Sequence, residues 1–178
     1  SHYGFTTQMP FTLFIATTKK KPRVEWQSVA FKFVTLSKRK FFGYRLERAF
    51  DAEVYMAEPE KSLVDSFDKP PYAGGVEQLA RITWRGLAKV DKAKLVDYAI
   101  RMESHALIQR LGFIIDSLSK EDLVQPLPSN LRNRLLSHIG NAPIYLDSKK
   151  AKTGSFSKDW RVIDNVQKDQ LLSEIEVR

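Results

Sequence analysis

Apolar residues change their spacing about a third of the way along this chain, from strand-like runs to helical periodicity. Phe11-Thr12-Leu13-Phe14-Ile15-Ala16-Thr17 and Val29-Ala30-Phe31-Lys32-Phe33-Val34-Thr35-Leu36 are rich in β-branched and aromatic residues and predict two strands. Residues 41–50 alternate in part and predict a third. Asp51-Ala52 reads as a turn, and Glu53 to Ala57 as the returning strand of a hairpin. The next stretch, Glu58-Pro59-Glu60-Lys61-Ser62-Leu63-Val64-Asp65-Ser66-Phe67, predicts a helix. Pro59 suits a first helical turn, where its missing N–H has no partner to lose. Glu58 and Glu60 sit where the helix dipole favours carboxylates, and Leu63, Val64 and Phe67 share one face. Pro70-Pro71 ends that helix, and Gly74-Gly75 turns the chain.

Helices follow from about Val76 to Lys89, from a cap at Asp91, from a cap at Ser104, and in a short piece around Leu131–Ile139. Ile144-Tyr145-Leu146 predicts a short strand, Lys149 to Ser157 a loop, and Trp160 to Val166 a last strand placed to return to the first sheet. Tyr3-Gly4 reads as a helix tail closed by a glycine cap, which suggests a fragment whose preceding domain is absent. The predicted architecture is a single α+β domain over 1–178. A mostly antiparallel sheet from residues 10–57 packs against helices from 59–139, and residues 143–178 supply a late strand near 160–166 and a tail.

Composition narrows the class. Hydrophobic residues at 43% and charged residues at 28% are ordinary for a globular protein with a real core. No apolar run approaches the roughly 20 residues of a membrane helix, and no secretion signal opens the sequence. The absence of cysteine excludes disulfides and thiolate-ligated zinc and fits a reducing, cytoplasmic setting. Charge adds an asymmetry. Residues 1–50 hold ten basic and two acidic side chains, whereas the remainder holds nineteen of each, so the whole formal excess of +8 belongs to the strand-rich part. A polyanionic partner is the functional reading of such a surface, and solubility with protected strand edges the bland one. The candidate contacts are Lys19, Lys20, Lys21, Arg23, Lys38, Arg39, Lys40 and Arg45. The two basic runs flank one strand, so a straight strand would hold them at its opposite ends as a stripe. Trp26, Phe41, Phe42 and Tyr44 lie nearby at strand spacing, which reads as core.

Catalytic patterns are sparse. His2, His105 and His138 have no serine or cysteine elbow beside them, no H-x-x-x-H occurs, and neither a P-loop nor G-x-G-x-x-G is present. Asp51 and Glu53, one residue apart on a strand, resemble the metal-binding acids of nucleotidyltransferases, but the phosphate-holding Gly-Ser turn is missing upstream. A D…(D/E)-x-K nuclease pattern fails on spacing.

The blocks "HYGFTTQMP" before "FTLFIATT", then "FKFVTLSKRKFFGY", "AEPEKSLVDSFDKPPYAGG", "SHALIQRLGFIID" and "YLDS…WRVIDNV" resemble, in that order, the C-terminal domain of AbiEi-family antitoxins. The likeness spans most of residues 2–166, with A-x-P-E-K-x-L-x-D and R-L-G-F its most specific parts. It implies a domain of a type IV toxin–antitoxin system linked to viral defence by abortive infection. Such a transcriptional regulator neutralises a partner AbiEii-type nucleotidyltransferase toxin. It also assists operator DNA binding by an N-terminal winged helix, which this sequence lacks. No catalytic residue, metal or cofactor carries over with the resemblance, and a membrane partner is not expected. The alternative is a diverged nuclease- or nucleotidyltransferase-like enzyme acting on nucleic acid, with Asp51 and Glu53 binding metal.

Overall fold

The computed structural model of the chain describes residues 3–4, 12–27, 29–49, 52–173 and 175. The fold is α+β, with seven α-helices and three small sheets among the described residues. In order the strands and helices are β1 (Thr12–Thr17), β2 (Val24–Trp26), β3 (Val29–Thr35), β4 (Tyr44–Ala49), β5 (Ala52–Ala57), α1 (Pro59–Asp68), α2 (Pro70–Ala73), α3 (Val76–Gly86), α4 (Lys92–Arg101), α5 (His105–Lys120), α6 (Ser129–Leu136), β6 (Ile144–Tyr145), β7 (Ser155–Ser157), β8 (Val162–Asp164) and α7 (Lys168–Leu172). Short 3₁₀ turns occupy Lys38–Lys40 and Leu87–Lys89.

The helix signals in the sequence act as read. Pro59 takes the first turn of α1. The Asp91 carboxylate accepts from the Lys94 N–H, and the Ser104 hydroxyl from the Leu107 N–H, satisfying amides that a helix start leaves open. Gly74 and Gly75 take positive φ of 97° and 105°, so the turn out of α2 needs residues without a Cβ.

The sheets depart from the expected arrangement. The first has the order β1-β3-β2, with β1 parallel to β3 and only β2 antiparallel to it. β4 and β5 form a separate antiparallel hairpin. The last strand does not return to the first sheet: β8 pairs in parallel with β6 and antiparallel with β7 in a third sheet. Part of the expected 149–157 loop is therefore strand β7. Gly154 permits this packing, since a Cβ there would meet the Asp164 carbonyl oxygen at 2.0 Å.

One hydrophobic core runs through the helical half. Its centre is α5, whose Leu111, Ile114, Ile115 and Leu118 are wholly buried, joined by Phe67, Leu79, Leu95 and Leu135 from neighbouring helices and Val162 from β8. Trp160, ahead of β8, lies across Gly112 of α5, and its indole N–H donates to Asp116 at 2.7 Å. No described residue of β1, β2 or β3 belongs to this core.

The first sheet instead stands beside the core with two unlike faces. Register places Leu13 and Ile15 of β1, Val24 and Trp26 of β2, and Val29, Phe31 and Phe33 of β3 on one face. On the opposite face Phe14 meets Tyr72 of α2 with ring centroids 5.4 Å apart, and the Lys32 ammonium lies 4.7 Å from the same ring.

The approach of Trp160 to Gly112 supplies a test. A Cβ at position 112 would lie 2.2 Å from two ring carbons of Trp160. Gly112→Ala is expected to destabilise the protein by about 1–3 kcal/mol through overpacking, read as a lower urea midpoint at unchanged slope.

Candidate functional site

The eight basic candidates lie around the first sheet and the start of β4, and the parallel pairing decides how they meet. Because β1 and β3 run the same way, Thr17 and Thr35 end side by side, and the Leu36 N–H donates to the Thr17 carbonyl at 2.8 Å. The loop carrying Lys19, Lys20, Lys21 and Arg23 leaves the end of β1, where the Lys19 N–H donates to Thr17 Oγ1 at 3.1 Å. It passes over the end of β3 to reach β2 on the far side. Lys38, Arg39 and Lys40 leave from that same end of β3. The expected separation to opposite ends is thus corrected: strand β2, which the sequence pattern does not reveal, carries the chain back along β3, and both basic runs converge on one end of the sheet.

Convergence does not make the candidates equivalent. Arg23 pairs with Glu25, Arg39 with Glu103 and Lys40 with Asp68, the last at 2.6 Å and little exposed. Arg45 donates to Glu47 at 2.5 Å, and that bond, ahead of the neighbouring tyrosine, raises the guanidinium above its ordinary pKa. These four cations have their charge answered within the fold. Among the described residues no ion pair holds Lys19, Lys20, Lys21 or Lys38. Of these four, Lys21 places its ammonium 5.5 Å from the Phe33 ring centroid. The candidate surface thus reduces to four exposed lysines at one end of the sheet. Phe42 is buried and Tyr44 half-buried, as strand spacing suggests, but Trp26 is 64% exposed and Phe41 42%, which corrects their reading as core.

A second cluster forms where the hairpin enters α1. Lys61 is fully buried and pairs with Asp65 one turn on. Its ammonium lies 5.0 Å from the Phe42 ring centroid and 5.9 Å from that of Tyr44. The Tyr44 hydroxyl is buried with no hydrogen-bond partner, and burial, helped by the Asp65 carboxylate, pushes its pKa far up. Burial likewise raises Asp65, against the pull of Lys61. Around this pair Glu58 accepts from Lys94 Nζ at 2.8 Å and from the Tyr98 hydroxyl, bonds that hold its carboxyl below the usual carboxylate range. Glu60 accepts the Asp91 N–H at 3.0 Å, locking the start of α4 to the start of α1. Gly43, at φ 72°, leaves the space this requires: its Cβ would lie 2.9 Å from the Tyr98 ring and 3.1 Å from Lys61.

Perturbed groups in a cluster point to function only when a ligand can reach them, and none of these lines either of two clefts that the described residues form. One cleft, about 480 Å³, lies between α5, α6 and β7 and includes the Asp116–Arg132–Asp159 bridge. The other, about 250 Å³, lies between the Gly74-Gly75 turn, Arg110 and the Asp147–Lys149 segment. Glu53 lines neither; it is exposed on β5 opposite Arg48, and Asp51 lies outside the described residues. Among the described residues no group of three or more His, Asp or Glu could hold a metal ion, and no helix is long and apolar enough to cross a membrane.

The buried cluster carries two expectations. Asp65 keeps an outlet to water at 32% side-chain exposure, whereas Lys61 has none. Asp65→Ala is therefore expected to cost more than Lys61→Met, about 3–5 kcal/mol, because it strands a buried ammonium, and Lys61→Met/Asp65→Leu to recover most of the loss; urea denaturation of the three variants measures the order. Glu58, with its folded pKa lowered, contributes stability above its unfolded value near pH 4.3 that is lost as pH falls through the folded value. The stability gap between wild type and Glu58→Gln is expected to be widest near neutral pH and to close in acid, as read from thermal unfolding across pH 2–7. In comparisons with protein-family models, with curated proteins and with solved structures, the chain matches none.

Proposed function

We propose that this chain is a non-catalytic regulatory domain of the antitoxin kind, the reading that its resemblance to AbiEi-family antitoxins carries. Its task in that reading is twofold: to add phosphate contacts to operator DNA bound by a winged helix in the full-length protein, and to neutralise a partner nucleotidyltransferase toxin. The observation that supports it most is the gathering of Lys19, Lys20, Lys21 and Lys38 at one end of a sheet with no carboxylate answering them among the described residues. Such lysines supply affinity without reading bases, because they meet phosphates and displace counterions. Arg23, Arg39, Lys40 and Arg45 support the fold through their ion pairs and are weaker candidates for the same role.

The reading is tested by reversing Lys19, Lys20, Lys21 and Lys38 to glutamate in the full-length protein. Operator affinity is expected to fall at least tenfold, and the slope of log affinity against log salt to flatten by about 0.9 for each phosphate no longer neutralised. Toxin rescue in cells is read in parallel. Unchanged operator binding together with unchanged neutralisation would overturn the assignment.

A further inference from the structure

We infer that the apolar face of the first sheet is a docking surface for an amphipathic helix of a partner protein whose flanks carry carboxylates. The face is continuous across three strands, yet it remains open: Leu13 is 43% exposed, Ile15 38%, Val24 48% and Trp26 64%. No described residue of this sheet belongs to the core cluster of the helical half, and the buried Ala30 of β3 lies on the opposite face. A sheet ordinarily buries its apolar face against another layer, and neighbouring exposed apolar side chains on one face are what an interaction site presents.

Three features of the face select its occupant. The first is size. β3 has seven residues and so runs about 23 Å, and along its first three residues β2 widens the face to outer strands about 10 Å apart. A helix of about 15 residues has that length, and its diameter covers that width. The second is charge. Lys21 leans over the Phe33 ring at the border of the face, and Lys19 and Lys20 stand in the same loop. Acidic flanks on the incoming helix would meet these lysines, which speeds encounter and fixes orientation. A second copy fits poorly, since each carries a formal net charge of +8 concentrated beside this sheet.

The third feature is chemistry. Single-stranded nucleic acid also uses basic, aromatic sheet faces, stacking bases on exposed rings. Here Trp26 is the one well-exposed ring among the described residues of the face; Leu13, Ile15, Val24 and Val29 offer none, and the Phe31 and Phe33 rings are less exposed than the aliphatic side chains of Leu13 and Ile15. A single stacking ring set among exposed aliphatic side chains suits the apolar stripe of a protein helix better than a row of bases. The inference goes beyond the antitoxin reading and stands on the apolar side chains, while the phosphate contacts proposed above stand on the lysines. The two can therefore fail separately.

The test titrates the chain, by calorimetry, with two 18-residue amphipathic peptides that share a leucine stripe and carry either glutamate or lysine flanks. A single-stranded dT18 and the sedimentation of the chain alone serve as competing outcomes. The glutamate-flanked peptide is expected to bind at least tenfold more tightly than the lysine-flanked one. Leu13→Ser/Trp26→Ser is expected to weaken that binding at least tenfold with unchanged thermal unfolding, since both side chains are exposed. Lys19→Glu/Lys20→Glu/Lys21→Glu should reverse the preference between the peptides. No binding, or equal binding of both peptides, overturns the inference. So does dT18 binding, or self-association, that disappears in Leu13→Ser/Trp26→Ser. That variant keeps every lysine, so unchanged operator binding by it alongside abolished peptide binding separates this surface from the phosphate contacts.

Discussion

A fully buried ammonium group organises the join between the two halves of this protein. Lys61 sits in α1 where water does not reach, and an unpaired charge there would cost several kcal/mol. Its environment is arranged around that cost. Asp65 supplies the countercharge, the faces of Phe42 and Tyr44 supply quadrupole attraction, and Gly43 keeps the hairpin close enough for both rings to reach. The Glu58 N–H donates to the Gly43 carbonyl at 2.8 Å, so the hairpin's start and the helix's start are bonded directly. Glu58 and Glu60 then carry the constraint to α4. An exposed ion pair would hold such a geometry only weakly; this one holds it because losing the Asp65 contact would leave the buried Lys61 ammonium unanswered.

The same residues explain which features are legible in the sequence. Pro59, Asp91, Ser104 and the Gly74-Gly75 pair act within a few residues of themselves, and their roles are readable because caps and turns are local chemistry. The compact run from Glu58 to Asp65 has the paired acids and lysine of a possible site. What the pattern hides is that Lys61 points inward, since a lysine in a helix is ordinarily solvated. Strand partners are legible only in part. The β4–β5 hairpin follows from its turn, but the β1–β3 pairing is parallel and depends on β2, three residues long and with no alternation to reveal it. β8 is legible as a strand while its neighbours are not, for a related reason: its partners β6 and β7 are two and three residues long, too short to announce a sheet.

Topology matters for function here more than the type of any one element. Two basic runs at opposite ends of a strand would spread the charge; a parallel pair with an intervening return gathers it. Counting lysines and arginines likewise overstates the surface, because Arg23, Arg39, Lys40 and Arg45 spend their charge on Glu25, Glu103, Asp68 and Glu47. Three of those partners, Glu25, Glu47 and Glu103, are themselves exposed or partly so, which makes these pairs individually weak. Lys40 and Asp68 are the exception, being mostly shielded, and their bond ties the turn after β3 to the end of α1.

The exclusion of β1, β2 and β3 from the common core bears on how the molecule comes apart. Cooperative unfolding requires that elements share buried contacts, and the first sheet shares few with the helical body beyond the Phe14–Tyr72–Lys32 contact. Its backbone amides can therefore open to solvent while α5 and its neighbours remain intact. Hydrogen exchange is then expected in two tiers, a faster one over β1, β2 and β3 and a slower one through the helices. A single melting midpoint followed by helical signal reports only the second. The sheet that carries the unanswered charge and the exposed apolar face is thus also the part tied to the helical body by the fewest buried contacts.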